Sequence, residues 1–151
     1  MKFFNNRAVV LAVTWLAGHA GHETGDYLVQ SDHDAQHKQQ RTPEGRRALA
    51  RHAFTYGLTQ AATKAAAYRA AGLRVPVRAQ LAGFAVETAV HAIIDDGRLL
   101  RRFADKTGKL GFHDLNTGGI NGRALMDQAG HKGLQVPLGA IITTLLAGSA
   151  R

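Results

Sequence analysis

Three histidine–aspartate pairs, each set one helical turn apart, limit this chain more than any other feature. His22 and Asp26, His91 and Asp95, and in reverse order Asp127 and His131 are all separated by four residues. A four-residue step on an α-helix turns only about 40° past a full circle, so the members of each pair share a face. Gln30 carries the first face one step further. The flanking residues are apolar: Val13, Leu16 and Ala17 before His22, Tyr27, Leu28 and Val29 after it, and Val90, Ile93 and Ile94 around His91. Polar groups on such helices are costly to bury unless they are paired, hydrogen-bonded or bound to a metal. A chain of this kind has to pack its helices so that these heads meet.

The rest of the pattern is also helical. Asn5 or Asn6 caps a first helix that runs through Val9, Val10, Val13 and Leu16 to about Gln30. Residues 31–43 are polar and read as a surface extension of that helix or a loop. Thr42-Pro43-Glu44 is a helix start, with a cap, a proline in the first turn and an acid at the positive end of the dipole. The second helix reaches about Ala71 and stops at Gly72, with Leu49, His52, Ala53, Tyr56 and Gln60 on one face. Its alanine-rich half, Ala61–Ala71, reads as packing surface without chemistry. Pro76 opens a third helix whose expected buried stripe is Leu81, Phe84, Ala85, Thr88, His91, Ala92 and Asp95. Gly97 bends it, and Arg98–Phe103 continues it to Gly108. Residues 108–120 read as a loop. Asn121 caps a fourth helix, Gly122–Lys132, ending at Gly133, and Pro137 opens a fifth, Leu138–Leu146. No sustained alternation marks a strand. With 151 residues and 45% hydrophobic content, the expectation is one all-α domain over residues 1–151, a bundle of four to five helices with a polar His/Asp site in its interior.

Composition narrows the chemistry. There are no cysteines, which excludes disulfides, thiolate zinc sites and cysteine nucleophiles; any metal is held by imidazole and carboxylate. No phosphate-cradling glycine loop and no nucleophilic serine motif is present. The formal net charge is +8, which favours anionic partners: a phosphate-containing ligand, nucleic acid or a phospholipid surface. The basic stretch Arg69–Arg78 has no interleaved aromatics, so stacking on single strands has little support. The first 20 residues imitate a signal peptide, but their apolar periodicity runs on into His22 and Asp26. No run reaches the ~18 to 20 apolar residues that span a bilayer. Ala8–Gly18 and Leu138–Gly148 read as buried helices. The expected location is cytoplasmic, with membrane association as the alternative and secretion less favoured.

Seven side chains are candidate donors: His22, Asp26, His52, His91, Asp95, Asp127 and His131. They suit a divalent ion (Zn, Mn, Fe, Ni or Mg), and seven donors exceed one tetrahedral site, so one ion or two is open. An aspartate one turn from a histidine either shares the ion or orients the imidazole. His22, Asp26, His91 and Asp95 are the first-choice ligands. His52 or Asp127 would be the general base, and His131 a ligand or acid. Gln30, Lys38, Arg98 and Arg101 would bind substrate charge. Asp127–His131, near a helix end, has exposure as its plain alternative, and His19, His37 and His113 read as surface residues. His33-Asp34 is an adjacent pair of the kind found in helical HD-type phosphohydrolases.

The ordered set His22-x-x-Gly25-Asp26-Tyr27-x-x-Gln30, Lys38, His52, His91-x-x-Ile94-Asp95 and Asp127-Gln128-x-x-His131 resembles the small helical bacterial and phage proteins catalogued as domain of unknown function 3307, over about residues 8 to 147. The resemblance implies that the polar positions of the family's pattern fall on His22, Asp26, Gln30, His52, His91, Asp95, Asp127 and His131. Family members are often more hydrophobic, and often carry a lysine after the third motif where this chain has Asp96-Gly97-Arg98.

These observations lead to an expected metal-dependent hydrolase acting on a phosphoester or nucleotide. The alternative is a non-enzymatic basic binding or regulatory protein, on nucleic acid or a membrane surface, in which the His/Asp network is structural.

Overall fold

A computed structural model of the chain describes residues 7–148. The expected caps Asn5 and Asn6 lie outside them. Four long helices make the bundle: α1 (Arg7–Thr24), α3 (Pro43–Ala70), α4 (Val77–Asp95) and α8 (Val136–Ala147). α1 packs on α3 and α8, and α4 closes the square by packing on the same two. The shorter α2 (Asp32–His37), α5 (Arg98–Lys106), α6 (Leu110–His113) and α7 (Gly122–Gly130) lie around it. The all-α expectation holds, with an interior His/Asp network.

Local chemistry explains most helix ends. Thr42 accepts from the Gly45 N–H at 3.0 Å and Pro43 takes the first turn of α3. Gly97, at φ +77°, takes the left-handed geometry that separates α4 from α5, a break where a bend is expected.

Several expected boundaries change. The first helix does not run evenly to Gln30: Gly25–Val29 winds as a π turn, and the Gln30 N–H reaches back to the Gly25 carbonyl at 3.0 Å. Residues 31–43 contain α2, capped by the Ser31 hydroxyl, which accepts from the Asp34 N–H. The loop expected over 108–120 holds α6 and a small hairpin, β1 (Asn116–Thr117) with β2 (Ile120–Asn121), turned on Gly118-Gly119. The fourth and fifth helices do not part at Gly133. A second π turn, His131–Gln135, joins α7 to α8. Gly133 faces open space, so nothing there calls for a left-handed stop. Pro137, without an N–H, sits in the first turn after the widened coil, where it forfeits no bond.

Polarity is inverted between inside and outside. The stripe α4 buries is Ala79, Gly83, Glu87, His91 and Asp95, while Leu81 and Ala85, expected inside, face out. The apolar segments expected to be buried helices are buried on one side only. α1 encloses Val10, Thr14, Ala17, Gly18, Gly21 and His22 and leaves Leu16 71% exposed. Leu28 and Leu134 are 81% and 70% exposed. Small residues let the helices approach around polar heads. A Cβ at Gly18 would come within 2.7 Å of Val136, and one at Gly25 within 2.8 Å of the Tyr56 ring. Among the described residues the buried apolar side chains cluster at the far end, as Val10, Tyr68, Val75, Ala79 and Ala147, and elsewhere are mostly alanines.

The Ala61–Ala71 stretch does carry chemistry. Lys64 is buried in it and pairs with the enclosed carboxylate of Glu87. Burial pushes the Lys64 amine down and the Glu87 carboxyl up, and the pair itself opposes both shifts. Breaking one side of such a pair costs about 3–5 kcal/mol, whereas replacing both by apolar groups is often neutral. Lys64→Met should therefore lower stability by that amount, and Lys64→Met/Glu87→Met should recover most of it in equilibrium urea unfolding. A single variant as stable as the parent would show that the pair is not enclosed.

Candidate metal centre

Rows of polar residues at four-residue steps run along the inner faces of two long helices: His52, Tyr56, Gln60 and Lys64 on α3, then Glu87, His91 and Asp95 on α4. His22 comes from α1, Asp26 from the first π turn, and His131 and Gln135 from the second. Asp127 and Gln128 lie in the last turn of α7. His22, His52, His91, His131 and Asp95 are fully buried. Exposure is thus ruled out for His131. His113 is buried too, against the surface expectation, and holds Asp114 at 2.6 Å away from this cluster.

The amide and phenol groups set the imidazoles. The Tyr56 hydroxyl accepts from Gln60 Nε2 at 2.7 Å and from Gln135 Nε2 at 2.8 Å. Its own proton is then free for His22 Nδ1 at 3.3 Å. His22 is left to donate from Nε2 to Gln128 Oε1 at 2.8 Å, and Gln128 donates on to Asp26 Oδ2. His22, a first-choice ligand by sequence, is thus tied to Asp26 through Gln128, and it also belongs to a group that could hold an ion. Gln135 Oε1 accepts from two imidazoles at once, His131 Nδ1 at 2.6 Å and His91 Nδ1 at 3.3 Å. Both then present Nε2 toward Asp95, the orienting role that outer polar partners play for metal ligands. The Tyr56 ring stacks on His91 at 3.6 Å.

Four donor atoms gather around the His52–His91 pair. His52 Nε2 and His91 Nε2 are 2.9 Å apart. Asp95 Oδ2 is 3.1 Å from the first and 3.0 Å from the second. Asp26 Oδ1 is 3.6 and 3.7 Å from them. An ion bound tetrahedrally at about 2.0–2.1 Å spaces its donors by about 3.3 Å, the middle of this range. Asp95 Oδ2 and Asp26 Oδ1 are buried and accept no hydrogen bond. Enclosed carboxylate oxygens without donors are what a cation would satisfy. The residues therefore fit a divalent ion, with His52 a ligand where the sequence suggested a base. Triads Asp26–His52–His91, Asp95–Asp127–His131 and His22–His91–His131 each bring donor atoms within 4.8 Å of one another.

Charge in the cluster is uneven. Burial lowers the His91 imidazole and would raise Asp95, but the imidazoles of His131, His52 and His91 outweigh burial and hold the Asp95 carboxyl well below its usual range. Burial also works against a charged His131, yet the Asp127 and Asp95 carboxylates beside it lift its pKa to about 10. The ground next to those two carboxylates favours positive charge.

The expected substrate-binding residues divide. Lys38 Nζ donates to Asp95 Oδ1 at 2.9 Å. Gln30, with its amide turned to satisfy both ends, accepts from Lys38 Nζ at 3.1 Å and donates to the Asp26 carbonyl at 3.2 Å. Arg98 pairs with Asp96 and Arg101 with Asp114, both at the surface. Arg41 joins Asp96 at 2.7 Å; against slight burial, Arg98 and Arg41 together hold the Asp96 carboxyl down to about 2. Lys38, Arg41, Arg46, Arg98 and Asp96 line a pocket of about 300 Å³ beside Asp95. The His33-Asp34 pair is structural: Asp34 is buried under Arg51. Gln135, Tyr56 and Gln60 were legible only as further four-residue steps on the same faces.

Zinc or manganese added to the metal-stripped chain should raise its thermal midpoint, since ion at a hundred times its dissociation constant contributes about 2.7 kcal/mol. His52→Ala should abolish the rise. An unchanged midpoint in the parent chain would show that these donors hold no ion. Compared with known proteins, the chain matches no family model, no curated protein and no solved structure.

Proposed function

We propose that the chain is a metal-dependent hydrolase of phosphate-containing substrates, with an ion held by His52, His91, Asp95 and Asp26. The observation that carries this is the pair of buried, partnerless carboxylate oxygens facing two imidazole nitrogens. The motif order's resemblance to family 3307 accords with the site and says nothing of the reaction. A bound ion of this kind lowers the pKa of water and polarises a phosphoryl oxygen. The chain's own residues supply the rest. Lys38, Arg41, Arg46 and Arg98 make the pocket beside Asp95 attractive to an anion. Asp127, whose Oδ1 is buried without a partner, takes the proton from the attacking water, and His131, hydrogen-bonded to Gln135, holds Asp127 in place.

Metal content by elemental mass spectrometry should be near stoichiometric in the parent chain and lost in His91→Ala/Asp95→Ala, together with hydrolysis of phosphoesters or nucleotides. Asp127→Asn should keep an ion at the first site and lose roughly 10²–10⁴-fold in rate, the usual span for a general base. A double variant that retains both ion and turnover would sink the assignment.

A second reading has its own support. The outward faces of the long helices are apolar, with Val9, Trp15, Leu16, Phe54, Leu58 and Leu81 among the exposed side chains, and patches of that kind mark interaction surfaces. With a net charge of +8, they suit a non-enzymatic protein at an anionic lipid surface whose His/Asp cluster is structural. Among the described residues no helix is long and apolar enough to cross a membrane, so the contact would be peripheral. This reading expects co-sedimentation with anionic vesicles that weakens with salt and is indifferent to chelator. Protein left in the supernatant at low salt would dismiss it.

A further inference from the structure

Asp95 has two faces, and the ion proposed above uses only one. Its Oδ2 looks toward His52 and His91. Its Oδ1 lies 3.3 Å from His131 Nε2, which is in turn 3.5 Å from Asp127 Oδ2. These three atoms form a second convergent donor set. Asp127 Oδ1, alongside, is buried and has no partner. One protein cation already stands at this place: Lys38 Nζ, 2.9 Å from Asp95 Oδ1.

We propose that Asp95 bridges the first ion to a second cation site made by Asp95 Oδ1, His131 Nε2 and Asp127 Oδ2, and that Lys38 holds this site as a built-in cation in competition with a second divalent ion. The inference rests on the metal reading above. Formal charge supports it. Asp26, Asp95 and Asp127 bring three negative charges, so with His131 neutral, as a metal ligand has to be, one divalent ion plus Lys38 leaves the set neutral. Two ions with Lys38 withdrawn leave one positive charge over, the condition for drawing in a phosphate. Removing the lysine charge with only one ion bound leaves an enclosed negative charge, which is costly and is relieved by a second ion. Carboxylate bridging is also the arrangement by which paired catalytic ions sit about 3.5–4 Å apart.

The chain is built for Lys38 to yield. It follows the short α2 at the rim of the basic pocket, 13% exposed, against full enclosure for its partner Asp95. Gln30 holds it in place from the first π turn. The first motif thus divides its work: Asp26 for the ion, His22 for Asp26, and Gln30 for Lys38.

The test is zinc stoichiometry on the full chain, stripped of metal and then titrated calorimetrically, with elemental analysis after gel filtration. The parent chain should bind one ion, Lys38→Met two, and Lys38→Met/Asp127→Asn one again. Lys38→Gln, which keeps a donor for Asp95, is the second variant should the methionine form fold poorly, and it too should bind two. One ion in both lysine variants, two in the parent, or two in the Asp127→Asn double variant would each overturn the inference and leave the first site standing. No ion in the parent would remove the metal reading itself, and the inference with it.

Discussion

Everything in this bundle answers to the burial of carboxylates. Asp95 is fully enclosed, with Asp26 beside it and the Lys64–Glu87 pair further along the same axis. Ionised groups in such a place must be met on all sides. α3 and α4 supply most of the answer as rows of polar residues at four-residue steps, with His22 from α1 and His131 and Gln135 from the second π turn. Tyr56 ties these elements together: its hydroxyl touches Gln60, Gln135 and His22, and its ring covers His91. The small residues of α1 and α8 follow from the same demand, because polar rows meet only where backbones come close.

Satisfaction is nearly complete around the imidazoles and stops at the carboxylates. Gln135 fixes His91 and His131, and Gln128 fixes His22 against Asp26. Further along the bundle Gln60 Oε1, Glu87 Oε1 and Thr88 Oγ1 remain without donors; within the cluster, so do oxygens of Asp26, Asp95 and Asp127. A purely structural network would use its spare amides on these oxygens. Here the amides orient rings, and the rings and carboxylates point at each other. That division of labour is the physical ground for reading the cluster as a cation-holding centre.

Much of this was legible in the sequence. The three His/Asp pairs and His52 do meet, and Thr42-Pro43, Pro76, Gly97 and Asn121 mark true helix ends. Periodicity, however, gives the angle of a stripe and not its direction. The expected stripe of α4 was right at His91 and Asp95, but the usual rule that apolar residues face inward added Leu81 and Ala85, which face out, and passed over Ala79, Gly83 and Glu87. The fate of Lys38 was hidden for another reason. Its partner Asp95 is 57 positions away, and nothing local distinguishes it from any solvated lysine. The π turns were invisible because winding by five instead of four changes no residue type.

Those two turns have a consequence for how such a site can be lost. Each holds one residue more than an α turn of the same path would need, and each stands next to donors: Gly25–Val29 carries Asp26, and His131–Gln135 carries both His131 and Gln135. Losing a single residue from either would restore ordinary winding over that path and turn the donors inside it away from their partners. Every histidine and aspartate would still be present in the sequence. The alignment of the centre is thus a matter of counting as well as of chemistry. A lineage that kept the whole motif but shortened either turn by one position would keep the signature and lose the site.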